Sequence, residues 1–291
     1  MSPPGQTLLT PAQAARSLGL SESTVRRLCD DGSIESVRTD GGHRRIRPSD
    51  VAAYARSHAK PESAAQARGA AGRGGRRAGE QELLKRTMQA LLHGDARLLR
   101  RLLSELSLAG ASAAFIADRL LTPALAELGQ RWCDGELSVY REHRASEQVL
   151  AAVSEMRERF TPGPRARRAL CTAPEADPNS LAAAMASWVL AEAGYASVLL
   201  GADVPFAALS EAVRELCPQL LVLSVSHVEQ LKLFTEGCRE LFEETQEAGC
   251  ALAIGGRALT REIKQVLSAD FFGDSLTELD AYARGLKPRS R

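Results

Sequence analysis

Five short apolar runs alternate with helical patterns over residues 166–288, and this alternation constrains the fold more than any other feature. The runs occupy residues 168–172, 196–200, 220–226, 251–254 and 270–272, and the helical patterns begin near Ser180, Pro205, Gln230, Thr260 and Ser275. Runs that are apolar at consecutive positions suit strands buried on both faces. Strands separated by helices build a parallel sheet with helices on each side. Such folds hold ligands in the loops at the carboxyl ends of their strands. The loop that follows the first run is Ala173-Pro174-Glu175-Ala176-Asp177-Pro178-Asn179-Ser180, where Asn179 and Ser180 are placed to cap the next helix. Later runs end at Gly201-Ala202-Asp203, at Ser224-Val225-Ser226 and at Gly255-Gly256.

A chain of 291 residues has room for more than this one domain. Its 44% hydrophobic and 25% charged content is that of a soluble globular protein, and 4% aromatic content leaves the core to Leu, Ala and Val. The net charge of +1 means that any nucleic-acid surface must be a local patch. The six cysteines show no C-x-x-C and no zinc spacing, so reduced thiols in a cytoplasmic chain are expected, with no metal site. No apolar run reaches membrane-spanning length.

Residues 7–58 form a compact first unit. Thr10-Pro11-Ala12-Gln13 is a capping box with proline at the first helical position, and the helix stops at Gly19. Ser21 starts a second helix, which presents Ser23, Thr24, Arg26 and Arg27 among its early residues, as a recognition helix does. Two alternating runs, 34–39 and 43–47, are joined by Asp40-Gly41-Gly42, a strong hairpin signal. The hairpin carries Arg38, Arg44, Arg45 and Arg47, a basic cluster in a near-neutral chain, with His43 beside them. A charge run is commonly a solvated face; here it coincides with a helix-turn-helix and a wing, which points to duplex DNA. Residues 59–79, rich in Gly, Ala and Arg, read as a flexible linker. Residues 80–160 carry four amphipathic stripes, expected to form a four-helix bundle.

Three resemblances follow from these residues. The segment 9–28 with Gly41-Gly42-His43-Arg44-Arg45-Ile46 resembles the excisionase-type winged helix of the MerR superfamily, which implies duplex DNA binding as a dimer or higher oligomer. In the helical region, Trp132 followed at its spacing by Glu142-His143 resembles the W-x(9)-E-H pattern of CarH- and LitR-type light-dependent repressors. That resemblance implies a bundle capping adenosylcobalamin, with the Trp over the corrin and the Glu-His pair near the adenosyl group. The residue after the Trp, often His in that family, is Cys133. The α/β region resembles a cobalamin-binding domain, whose hallmarks are D-x-H-x-x-G, S-x-L and a late G-G. Here the first reads Asp177-Pro178-Asn179-Ser180-Leu181-Ala182 and the second Ser224-Val225-Ser226, while Gly255-Gly256 is intact. Asn179 thus stands where that family's lower cobalt ligand is His. His227 reads either as a substitute ligand or as an ordinary capping or solvent-facing residue.

The resulting expectation is a multidomain α and α/β chain with an N-terminal winged helix, a four-helix bundle and a Rossmann-like parallel α/β domain. The function expected is that of a non-enzymatic, oligomeric (dimer or tetramer) DNA-binding regulator, a repressor by family resemblance, with cobalamin binding altered or lost. The alternatives are a corrinoid carrier or methyltransferase-type protein, or a cobalamin-independent regulator that answers another ligand or a protein partner.

Overall fold

A computed structural model describes residues 8–18, 20, 22–39, 42–58 and 73–287. The expected helix stop at Gly19, the Ser21 cap, the turn residues Asp40 and Gly41, residues 59–72 of the linker, and residues 7 and 288 lie outside the described residues. The chain divides into two compact units, one comprising 1–112 with 119–148 and the other 113–118 with 149–291.

In the first unit, α1 (Pro11–Leu18) and α2 (Glu22–Asp30) precede a two-stranded antiparallel hairpin of β1 (Ser36–Arg38) and β2 (Arg44–Ile46), and α3 (Pro48–His58) follows. The capping box forms reciprocally: the Thr10 amide donates to Gln13 Oε1 at 2.8 Å and the Gln13 amide to Thr10 Oγ1 at 3.2 Å. Leu9 pairs with Ile46 in both directions, which lays the N-terminal segment along the hairpin. Ala14, Ala15, Val25, Ile34, Ile46 and Val51 close one small core.

The helical region contains α4 (Arg73–His93), α5 (Ala96–Leu108), α6 (Ala113–Ile116), a π-helical turn (Ala117–Leu121), α7 (Thr122–Cys133) and α8 (Val139–Glu158). Two expectations are corrected. First, α4 begins at Arg73, inside the segment read as linker: Arg and Ala are good helix formers, and they extend the helix outward although Gly74 and Gly75 weaken it. Second, the apolar stripe of Phe115, Ile116, Leu120, Leu121, Leu125 and Leu128, the third of the four, is not one helix, because the π turn divides it.

In the second unit, β3 (Arg168–Pro174), β4 (Ala196–Val204), β5 (Leu220–Ser224), β6 (Ala251–Gly255) and β7 (Phe271–Gly273) form a parallel sheet in the order β4-β3-β5-β6-β7. Its helices are α9 (Leu181–Glu192), α10 (Phe206–Leu216), α11 (Leu231–Glu247), α12 (Arg261–Val266) and α13 (Leu276–Gly285). The two-residue strand period sorts side chains between the two faces of the sheet. Leu170, Leu221, Leu223, Leu252 and Ile254 meet α10 and α11, while Ala169, Cys171, Ala251 and Ala253, with the larger Leu220 and Val222 of β5, face α9 and α13. The helix α9 packs on that face, and its residues Ala183–Leu190 are all buried. The reason is that α9 also packs against α6, where the Ala113 amide donates to Glu192 Oε2 at 2.9 Å. Asp118 accepts from the Leu276 and Thr277 amides at the start of α13, at 3.0 and 2.9 Å. The π turn thus begins with residues committed to the α/β unit.

Strand ends differ from expectation in two places. β5 stops at Ser224, which leaves Ser226 in the loop beyond it, and β4 runs on to Val204, which puts Gly201-Ala202-Asp203 inside a strand. The extension of β4 is irregular against β3, with register shifts on either side of Thr172.

Candidate functional site

The carboxyl edge of the sheet gathers the loop residues of the α/β unit around Asp177. This carboxylate is fully buried. Its Oδ2 accepts the Ser226 amide at 2.5 Å and the His227 amide at 3.2 Å, and its Oδ1 accepts the Ser226 hydroxyl at 2.7 Å and the Asn179 amide at 3.1 Å. Four donors compensate the desolvation of one buried carboxylate, and they tie the loop after β3 to the loop after β5. A third strand joins through Asp203, whose amide donates to the Asp177 carbonyl at 2.9 Å and whose Oδ1 accepts the Ala176 amide at 2.8 Å. Ala176 and Asp203 both adopt left-handed backbone, with φ of 63° and 53°. Non-glycine residues take that conformation at a cost of about 1–2 kcal/mol each, so the surrounding bonds must hold them there. Asp203 was absent from the site read in the sequence; the one signal for it was a polar residue near the end of an apolar run.

Asn179 is committed locally. Its Oδ1 accepts the Leu181 amide at 3.0 Å, which satisfies an otherwise open donor in the first turn of α9. Ser180 occupies the N-cap position but makes no side-chain cap bond, so the capping expected of the pair falls to Asn179 alone. Ser224 is buried at the end of β5. His227 is exposed, and Arg257 Nε reaches the Ser226 carbonyl at 3.4 Å. Gly255-Gly256 is explained by close packing: a Cβ on Gly256 would lie 2.1 Å from the Val225 carbonyl oxygen, and one on Gly255 would lie 2.9 Å from that of Gly273.

These residues do not fit cobalt ligation by the protein, which the cobalamin-type resemblance implies. The amide at 179 is a weaker donor than a neutral imidazole and already serves the helix start.

In the other unit, Trp132 and Cys133 end α7, both exposed, and Glu142 and His143 lie in the first turns of α8. His143 Nδ1 lies 3.0 Å from the Val139 carbonyl and 2.9 Å from Glu142 Oε2, and Glu142 Oε1 accepts the Ser146 hydroxyl at 2.8 Å. Two acceptors at Nδ1 assign a proton to that nitrogen. A cavity of about 460 Å³ in the same unit presents Arg131, Arg141, Arg144, His93, Tyr140 and Glu136, and none of Trp132, Cys133, Glu142 and His143 lines it.

On the winged helix, Ser23, Arg26, Arg27, Arg38 and His43 are exposed, while Thr24 and Arg45 are half-buried. Arg26 pairs with Glu22 one turn away at 2.5 Å. Arg44 departs from the role read in the sequence. Its guanidinium turns inward to the Arg26 carbonyl and to Asp30, a partner 14 residues away that no local pattern announces.

Residues 8–59 match a helix-turn-helix domain, and residues 83–156 match a B12 binding domain. The chain is 24% identical over 213 residues to a trimethylamine corrinoid protein of Methanosarcina barkeri, covering 69% of this chain and 94% of that protein. It is 29% identical over 154 residues to the HTH-type transcriptional repressor CarA of Myxococcus xanthus, covering 52% of this chain and 50% of that one. The fold matches the structure of the Methanosarcina barkeri monomethylamine corrinoid protein with a TM-score of 0.57 and 18% identity, over 70% of this chain and 98% of that chain. A helix-turn-helix domain therefore precedes a helical B12-binding-type segment and a parallel α/β domain of the corrinoid-protein kind. No described helix is long and apolar enough to cross a membrane.

Proposed function

We propose that this chain is a DNA-binding transcriptional regulator, a repressor, in which a CarH-like sensory module controls oligomerisation and oligomerisation sets DNA affinity. It is a regulator and not an enzyme. The observation that carries this reading is the winged helix itself: a closed core behind a recognition helix and a hairpin, with Arg27, Arg38 and His43 exposed on them. Exposed cations on such elements meet phosphates and base edges, and weak single contacts gain strength when copies are linked. Asn179 replaces the His that ligates cobalt in that family, so the module takes a cobalamin only without a protein cobalt ligand, or answers another ligand or protein partner. We place the protein in the cytoplasm, on duplex DNA, as a dimer or tetramer arranged around a four-helix bundle.

A corrinoid carrier is the second reading, supported by the 24% identity that spans nearly the whole of a corrinoid protein. It has no use for the winged helix, and it needs an imidazole where this chain has Asn179. The test is selection of fragments of genomic DNA by the purified full chain, followed by titration of a recovered duplex at several salt concentrations. The regulator reading requires an enriched sequence with repeated half-sites and an affinity that falls with salt. Recovery of no enriched sequence would sink it.

A further inference from the structure

Of the two adjacent arginines that open the wing strand β2, Arg44 is the one that faces inward. Its Nη1 donates to the Arg26 carbonyl at 2.7 Å and its Nη2 to Asp30 Oδ1 at 2.5 Å, and the side chain is 15% exposed. Both acceptors belong to the last turns of α2. The wing is thus bolted to the carboxyl end of the recognition helix through one planar fork, a geometry that Lys could not reproduce.

Asp30 is the informative partner. An acid at a helix C-terminus meets the negative end of the helix dipole, and an acid on a DNA-facing domain repels phosphate. Both effects are unfavourable, yet Asp30 stands there, 62% exposed, with its carboxylate turned to Arg44. The contact holds the Asp30 carboxyl below its usual range and the Arg44 guanidinium above its own. Arg27 and Arg38 are exposed, while Arg45 is half-buried and its Nη1 donates to the Arg44 carbonyl at 3.2 Å.

We infer that Arg44 and Asp30 form a positioning pair that fixes the angle of the wing against the recognition helix, while neighbouring arginines supply the phosphate contacts. The inference rests on the DNA-binding reading above and deepens it.

Positioning and contact differ in their salt dependence. A lost phosphate contact weakens binding and lowers the salt slope by about 1; a lost brace weakens binding at every salt concentration and leaves the slope unchanged. The experiment titrates the full chain, by fluorescence anisotropy, against a duplex recovered in the selection described above, from low to high potassium chloride. Arg38→Ala, at an exposed arginine of the wing, should lower the slope by about 1. Arg44→Ala should weaken binding roughly tenfold with the slope of the parent chain. Asp30→Asn should also weaken binding, although it removes a negative charge, and because Asp30 is largely exposed this variant keeps the test independent of whether Arg44→Ala folds. Binding by Asp30→Asn that equals or exceeds the parent's would overturn the pair, as would a slope lowered by about 1 in Arg44→Ala. A parent chain that binds no duplex overturns the DNA-binding reading, and the inference with it.

Discussion

Asp177 and Ser226, 49 residues apart in the chain, are joined twice, with the Ser226 amide and hydroxyl both donating to the Asp177 carboxylate at 2.5 and 2.7 Å. The Asp177 carboxylate is therefore occupied by backbone and serine donors. Its partner position, Asn179, is turned to the helix start. The polar groups at this edge of the sheet are spent on holding the loops together.

Asp177→Ala should cost at least about 2 kcal/mol of stability, because it leaves the Ser226, His227 and Asn179 amides without their acceptor in a buried place. Urea unfolding checks this. A loss below about 0.5 kcal/mol would mean that the loops are not held by this carboxylate.

Gly256→Ala and Gly201→Ala separate crowding from backbone strain. Both glycines have positive φ, 128° and 99°, but a Cβ on Gly256 would strike the Val225 backbone while Gly201 faces open space. The Gly201 variant should lose on the order of 1 kcal/mol, and the Gly256 variant several times more, in the same urea measurement.

The cysteines should divide by burial. Cys133 and Cys217 are exposed and should react with a disulfide reagent in the native protein at neutral pH. Burial pushes the thiols of Cys171 and Cys238 up to about 12, so these should react only after unfolding. Because the folded values lie above the 9.0 of a free thiol, the fold retains the protonated form. Stability is intact below about 9 and is lost as the pH rises towards 12. Alkaline melting curves, with Cys171→Ala as control, check the direction.

Much of the fold was legible in the sequence because it is local. Every α/β helix begins within one residue of its expected start, and the Thr10–Gln13 box forms as read. The starts are legible because polar cap residues and proline stand directly against apolar runs. What escaped the sequence depends on distant partners. The inward turn of Arg44 requires Asp30, the bond network of Asp177 requires Ser226, and the left-handed Ala176 and Asp203 hold one another across two strands. The π turn at Ala117–Leu121 was illegible for the same reason: Asp118 is fixed by Leu276 and Thr277, some 160 residues away. The candidate ligand residues divide likewise. Asp177, Asn179, Ser226 and His227 come together in one loop cluster, and Trp132, Cys133, Glu142 and His143 belong to the other unit.

The central claim is that this chain keeps a cobalamin-type fold without a protein ligand for cobalt. The most direct measurement is electron paramagnetic resonance of cob(II)alamin mixed with the full chain carrying 15N-labelled histidine, with Asn179→His as the comparison. The account predicts no nitrogen coupling that changes with the histidine label in the parent chain. A histidine-derived coupling in the parent chain, from His227, His143 or any other, would contradict it.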